Sequence, residues 1–234
     1  MKVKVLEKAD IDRAVADEFV ALIKRKPTAV LGLATGKSPL GVYKLLADAY
    51  KKKEVSFKKV TTFNLGEYVG LDEEDSHSYR HYMNENLFDK IDIDKANTFV
   101  PCGKDNDCHS AQEYDMKIAR HGGIDILILG LGTDCTIASN EPGTDFESMT
   151  HEVVKDESRK ALTMGLNSIM NAKKIILIAT GKDKAQAVKD MVTASKDPAH
   201  PATVLRSHIN CVAYVDKDAA SLLESEVNIT IIAD

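Results

Sequence analysis

Several features that would point to specialised classes of protein are absent from this sequence. It has no tryptophan, and aromatic residues make up only 6% of its 234 residues, so its core must be mainly aliphatic. No apolar run approaches the ~20 residues that a membrane-spanning helix needs. The amino terminus, MKVKVLEKADIDR, lacks the apolar segment of a signal peptide. We therefore expect a cytoplasmic protein without a membrane partner.

Cysteines and positive charge are also sparse. The four cysteines, Cys102, Cys108, Cys135 and Cys211, show no CxxC spacing, and we expect free thiols rather than disulfides or a metal site. The formal net charge is −5, which gives no electrostatic reason to expect a nucleic-acid partner. An anionic small-molecule substrate would have to be held by local donors. The sequence leaves the formation of a homo-oligomer open.

What the sequence does contain is a repeated alternation of apolar strands and amphipathic helices. Ile11, Val15, Phe19 and Ile23 form one helical stripe, and IDILIL is the most apolar run and the predicted central strand. We also predict a helix over SRKALTMGLNSIMNA, a final helix over KDAASLLE, and an edge strand or docked tail over VNITIIAD. This pattern predicts one α/β domain over residues 1–234, a doubly wound and mainly parallel sheet with helices on both faces. Ligands bind such sheets at the carboxyl ends of the strands.

Two predicted strands end in glycine-containing turns that are suited to a phosphate. In the first turn, Thr35, Gly36, Lys37 and Ser38 precede a helix and offer backbone N–H groups, hydroxyls and a charge. The alternative is an ordinary turn in which Ser38 caps the helix. In the second, Gly181 is followed by Lys182 and Lys184, although solvated lysines are an equal alternative. We predict that the two turns hold one phosphate between them.

Carboxylates follow two other strands. In TTFNLGEY, Glu67 is a candidate general base and Tyr68 a candidate cover for a sugar ring, with a structural carboxylate as the alternative for Glu67. In GLGTDCTIASNEPG, Asp134 and Glu141 could converge across a loop, since paired carboxylates orient a base or hold sugar hydroxyls. No histidine lies near Cys135, so we expect a structural thiol there rather than a nucleophile.

Several stretches occur in an order that resembles the glucosamine-6-phosphate deaminases, also called isomerases, and the related galactosamine-6-phosphate enzymes. These stretches are LGLATGKSPLGVYKLL, VTTFNLGEYVGLDEEDSHSYRHYM, NEPGTDF, ALTMGLNSIMNAKKIILIATGKDKAQAV and PATVLRSH. The resemblance implies a Rossmann-like fold and the conversion of an amino sugar 6-phosphate to fructose 6-phosphate and ammonia, with no cofactor or metal. It also implies that residues 35–38 and Lys184 bind phosphate, and that Glu67 and Tyr68 line the sugar site.

The chain departs from this family at the positions that move protons. The family segment N-L/M-D-E-Y carries an aspartate base, and Gly66 stands in its place. The family loop G-(N/D)-G-H-I-(A/G)-F-N-E-P carries a ring-opening histidine, and Thr136 stands in its place. Cys135 replaces a glycine and Ser139 a phenylalanine, whereas Asp134 and Glu141 remain. The lid segment after THEVV is short, and Arg159 does not align clearly with the family's phosphate-binding arginine.

Three functions follow from this combination. The first is an amino sugar 6-phosphate isomerase/deaminase-like protein whose activity is weak or lost. The second is a sugar-phosphate-binding protein without catalysis. The third is a 6-phosphogluconolactonase-like hydrolase, because GTDCTIAS resembles the loop D-G-H-T-A-S of those relatives, although their histidine is missing here too.

Overall fold

Seven parallel strands form the centre of the protein, in a computed structural model that describes residues 1–101, 109–156 and 159–223. These strands are β1 (Lys2–Val5), β2 (Val30–Leu33), β3 (Thr61–Asn64), β5 (Thr98–Phe99), β6 (Ile126–Gly130), β9 (Ile175–Ala179) and β10 (Cys211–Val215). Their order across the sheet is β1-β10-β9-β6-β2-β3-β5. β6 lies fourth of seven, so the prediction of IDILIL as the central strand is confirmed.

Six α-helices accompany these strands in the described part of the chain. They are α1 (Lys8–Arg25), α2 (Leu40–Lys51), α3 (Tyr79–Asn86), α4 (His109–Arg120), α5 (Leu166–Met170) and α6 (Ala185–Thr193). Ile11, Val15, Phe19 and Ile23 of α1 are buried, as the helical stripe predicted. Because these side chains join the strand residues in one apolar cluster, burial of the stripe fixes α1 against the sheet. None of the described helices is long and apolar enough to cross a membrane.

The chain reverses its direction across the sheet between β2 and β6. From β2 it adds β3 and β5 on one side, and β6, β9 and β10 then fill the other side. In open parallel sheets a crevice forms at such a reversal, outside the carboxyl ends of the two strands. The residues that follow Leu33 and Gly130 therefore face the expected ligand position.

A second sheet was not predicted. It has three antiparallel strands in the order β4-β8-β7, namely β4 (Gly66–Tyr68), β8 (Arg159–Thr163) and β7 (His151–Asp156). The predicted helix over SRKALTMGLNSIMNA is thus wrong in its first half. Lys160, Ala161 and Leu162 suit a helix by propensity, but pairing with strands on both sides overrides that preference.

The end of the chain also differs from the prediction. Residues 217–222 of KDAASLLE form turns rather than a final helix. The predicted edge strand or tail over VNITIIAD lies outside the described residues, as do Cys102 and Cys108.

Candidate active site

A cavity of about 170 Å³ lies at the reversal point between β2 and β6. Its walls come from the residues after β2, from the start of β4, and from the loop that follows β6. The start of α3 and the end of β8 complete the lining. Hydroxyl groups dominate its polar lining, and they belong to Thr35, Tyr79, Thr136, Ser139 and Thr163. No carboxylate, lysine or histidine is among the described residues that line it. Such a cavity can hydrogen-bond to sugar hydroxyls but offers no group with a pKa suited to general base catalysis.

The predicted phosphate turn lies beside this cavity. Gly36 has φ +94°, a conformation that favours glycine, and the hydroxyl of Tyr82 donates to its carbonyl oxygen at 2.6 Å. Within the described ranges, the N–H groups of Gly36, Lys37 and Ser38 donate to no protein acceptor. These free donors precede the amino terminus of α2, an arrangement that favours a bound anion.

The second glycine turn differs from the prediction. Gly181 has φ +96°, but its N–H donates to both carboxylate oxygens of Asp216, at 3.0 and 2.9 Å. The expectation that its amide faces a phosphate shared with the Gly36 turn is therefore wrong. The reason is that β10 lies next to β9 and is followed directly by Asp216, whose carboxylate satisfies the amide. Lys184, at the start of α6 and partly exposed, can contribute only through its side chain.

Glu67 is buried and holds the start of α3. One carboxylate oxygen accepts from the N–H groups of Tyr68 at 2.8 Å and Tyr79 at 2.9 Å. The other accepts from the hydroxyl of Ser78 at 3.0 Å and the N–H of Arg80 at 2.9 Å. With four donors around it, at a helix amino terminus that favours negative charge, this carboxylate is a cap. The geometry does not support the predicted role of Glu67 as a general base.

Tyr68 and Tyr79 form an aromatic pair next to the cavity. Their ring centroids are 5.1 Å apart, and the guanidinium of Arg159 lies 5.3 Å from the centroid of the Tyr68 ring. Burial, and then the neighbouring Tyr68 hydroxyl, raise the pKa of Tyr79. Tyr79 therefore stays protonated and acts as a hydrogen-bond donor or acceptor in the cavity. The sequence analysis did not predict Tyr79 as a site residue. Tyr79 reaches the cavity as the first residue of α3, the helix whose start is held by Glu67.

Gly66 lies where strand β4 approaches β8 very closely. A Cβ atom at residue 66 would lie 2.5 Å from the carbonyl oxygen of Leu162, a distance at which the backbone would have to move. Position 66, which holds the catalytic aspartate in the family pattern, thus has no room for any side chain in this structure.

The loop after β6 carries the two predicted acids, Asp134 and Glu141, and each has its own partner. The carboxylate of Asp134 accepts a hydrogen bond of 2.6 Å from the hydroxyl of Thr136, which occupies the histidine position of the family pattern. The Glu141 carboxylate is 3.9 Å from the ammonium of Lys155 and is largely exposed. In the described structure the two acids therefore have different partners, Thr136 for Asp134 and Lys155 for Glu141. Their convergence on one sugar stays a prediction.

Cys135 is buried in the same loop. Its thiol contacts the carbonyl oxygen of Ala187 at 3.5 Å, and burial raises its pKa to about 12. A thiol of this kind is not nucleophilic at neutral pH, in agreement with the expected structural role. Its φ of +64° also explains why the family pattern has a glycine at this position.

Comparisons with known proteins agree with this fold and cleft. The architecture is that of the Rossmann-like α/β proteins with a cleft at the topological switch point. Residues 7–213 match the family of glucosamine-6-phosphate isomerases and 6-phosphogluconolactonases. This chain belongs to that family.

Individual relatives lie on the deaminase side of the family. The chain is 42% identical to a glucosamine-6-phosphate deaminase of Pseudoalteromonas translucida, over 93% of this chain and 89% of that protein. It is 45% identical to one from Clostridium perfringens, over 92% and 96% of the two chains. A solved monomeric glucosamine-6-phosphate deaminase is 37% identical, with a TM-score of 0.91 over 95% of this chain and all of the other. A 6-phosphogluconolactonase from Leishmania guyanensis, 20% identical with a TM-score of 0.78, shares the fold.

Proposed function

We propose that this protein binds an amino sugar 6-phosphate in the cleft between β2 and β6, and that it deaminates this ligand weakly or not at all. The free N–H groups of residues 36–38 and the charge of Lys184 hold the phosphate, and the hydroxyl-lined cavity holds the sugar. The single observation that carries the proposal is that the described residues lining this cavity include no base. Gly66 and Thr136 stand where the resemblance implies an aspartate and a histidine.

The deamination requires two proton movements that the cavity cannot supply. A base must take the proton from C2 and return it to C1, and a second group must assist opening of the sugar ring. Glu67 is not available as a base, since its carboxylate accepts four hydrogen bonds at the start of α3. The hydroxyl of Thr136 is too weakly acidic and basic to replace an imidazole. Loss of one positioned general base typically lowers a rate ~10²–10⁴-fold.

The remaining groups fit binding better than turnover. Thr35, Tyr79 and Ser139 line one cavity with hydroxyl groups, so a sugar can be held by hydrogen bonds to its own hydroxyl groups. A lactonase reaction would need a base to activate water, and no described residue of the cavity lining is one. We therefore place sugar-phosphate binding, within amino sugar metabolism, ahead of hydrolysis.

Two measurements on one preparation test the proposal. Calorimetric titration with glucosamine 6-phosphate should show saturable binding, while an ammonia-release assay shows little or no product. Lys184→Gln should weaken binding roughly tenfold, because one charge-assisted phosphate contact is lost. Lys189→Gln, which removes a lysine further along α6, is the matched control and should bind as the parent does. Absence of binding, or equal effects of both variants, would contradict the phosphate assignment.

A further inference from the structure

A second concave region lies at the opposite end of the sheet. It is a groove of about 520 Å³, formed by residues 23–27 at the end of α1 and by residues 50–59, which run from the end of α2 toward β3. These segments precede the amino ends of β2 and β3, whereas the cleft described above lies at the carboxyl ends. The groove is therefore separate from the sugar-phosphate cleft.

Four lysines line this groove, and we name it the lysine groove: Lys24, Lys53, Lys58 and Lys59. No carboxylate lies within ion-pair distance of any of the four in the part of the chain that the structure describes. The nearby Lys26, by contrast, pairs with Asp125 at 2.7 Å. Unpaired like charges in one concavity repel one another, and a bound anion would relieve that repulsion.

The residues around the groove are more basic than acidic. Arg25, Lys51 and Lys52 flank it in sequence, and Glu54 is the one carboxylate among the described lining residues. A neighbouring carboxylate, Asp92, accepts from the Ser56 hydroxyl and from the N–H of Phe57, both at 2.6 Å. The formal net charge of the whole chain is −5, so this local cluster of lysines differs in sign from the protein as a whole.

Helix stabilisation explains only part of the cluster. Cations in the last turn of a helix interact favourably with its dipole, which accounts for Lys24 in α1 and Lys51 in α2. Lys58 and Lys59 lie several residues beyond the end of α2. The helix dipole therefore does not explain why these two lysines lie in the groove.

Lys53 lies in the turn that ends α2. It has φ +60°, a left-handed conformation that follows the end of α2, and such positions strongly favour glycine. The N–H groups of Lys53 and Glu54 donate to the carbonyl oxygens of Tyr50 at 2.8 Å and Ala49 at 2.9 Å, so this turn ends α2. Lysine at this position adds a fourth ammonium group to the groove, where glycine would suit the backbone better.

We propose that the lysine groove binds a small polyphosphate ligand with an aromatic ring, of the nucleoside polyphosphate class. Several phosphates match several ammonium groups, because lysine acts as a mobile point charge toward phosphate oxygens. The floor of the groove, with Ile23, Val55 and the partly buried Tyr50, offers an apolar surface and an aromatic face for the ring. The volume falls within the ~300–1,000 Å³ typical of small-molecule sites.

The test is a calorimetric titration of the intact protein with ATP at fixed ionic strength. We expect one saturable site per chain, and tighter binding of ATP than of inorganic tripolyphosphate. The triple variant Lys24→Gln, Lys58→Gln, Lys59→Gln should weaken ATP binding roughly tenfold, as expected for three exposed charge contacts. The matched control, Lys8→Gln, Lys44→Gln, Lys90→Gln, removes three exposed lysines elsewhere and should leave affinity unchanged.

A single substitution separates binding from folding. Lys53→Gly should raise or maintain thermal stability, because glycine suits φ +60°, while it weakens ATP binding. Absence of saturable binding, or equal losses in the groove and control triples, would overturn the proposal. Equal affinity for ATP and tripolyphosphate would overturn the placement of the ring. Saturating glucosamine 6-phosphate and Lys184→Gln should both leave ATP affinity unchanged, so this result is independent of the sugar-phosphate proposal.

Discussion

The carbonyl oxygen of Leu162 occupies the space that a side chain on Gly66 would need. A Cβ at residue 66 would lie 2.5 Å from that oxygen, and Gly66 pairs with Thr163 across the same two strands. The missing aspartate is therefore more than a single substitution, because the backbone of β8 leaves no space for a side chain at this position. Restoring the family residue requires β4 and β8 to separate.

Gly66→Asp should destabilise the protein. The added atoms force strands β4 and β8 apart, and overpacking of this kind typically costs about 1–3 kcal/mol of unfolding free energy. Urea denaturation monitored by circular dichroism measures the change. Gly66→Ala, which adds only the Cβ, should show most of the same loss. If both variants are as stable as the parent, the backbone contact does not restrict position 66.

Thr136→His should behave differently. Thr136 contacts Asp134 through its side chain in an exposed part of the loop, so an imidazole fits without backbone movement. We expect unchanged stability and no ammonia release, because the base at position 66 is still absent. The double variant Gly66→Asp, Thr136→His should release measurable ammonia only if β8 moves away from position 66. Robust activity of Thr136→His alone would show that another group serves as the base.

Glu67→Gln should destabilise the protein without acting on catalysis directly. The neutral amide turns an NH₂ group toward donors that the carboxylate now accepts from, and loss of hydrogen bonds to a charged group costs about 1.5–3 kcal/mol. Thermal denaturation measures this loss of stability. Glu74→Gln removes a carboxylate from the exposed acidic loop nearby and should be neutral. A stable Glu67→Gln protein would contradict the capping role.

Cys135 and Cys211 should resist alkylation in the folded protein. Burial raises the pKa of each thiol to about 12. Iodoacetamide at neutral pH, followed by peptide mass spectrometry, should modify both only after denaturation. Because the folded pKa exceeds the unfolded value, the stability contribution is complete below pH 9.0 and is lost as pH rises toward 12. Rapid labelling of native Cys135 would contradict its burial.

The sequence predicted the parallel sheet well because continuous apolar runs such as IDILIL report burial on both faces. It failed for residues 159–163, where Lys, Ala and Leu favour a helix and only pairing with β4 and β7 makes a strand. In the site, the free amides of the Gly36 turn agree with the prediction. The bonding of Gly181 to Asp216 and the capping by Glu67 depend on elements distant in sequence, so no local pattern could reveal them.

The most direct test of the account measures binding and turnover of glucosamine 6-phosphate on the same sample. We predict saturable binding that Lys184→Gln weakens and Lys189→Gln does not, with ammonia release at least ~10²-fold below that of a relative that keeps the aspartate and histidine. Turnover equal to that of such a relative would contradict the claim that the cleft has lost its proton-transfer groups.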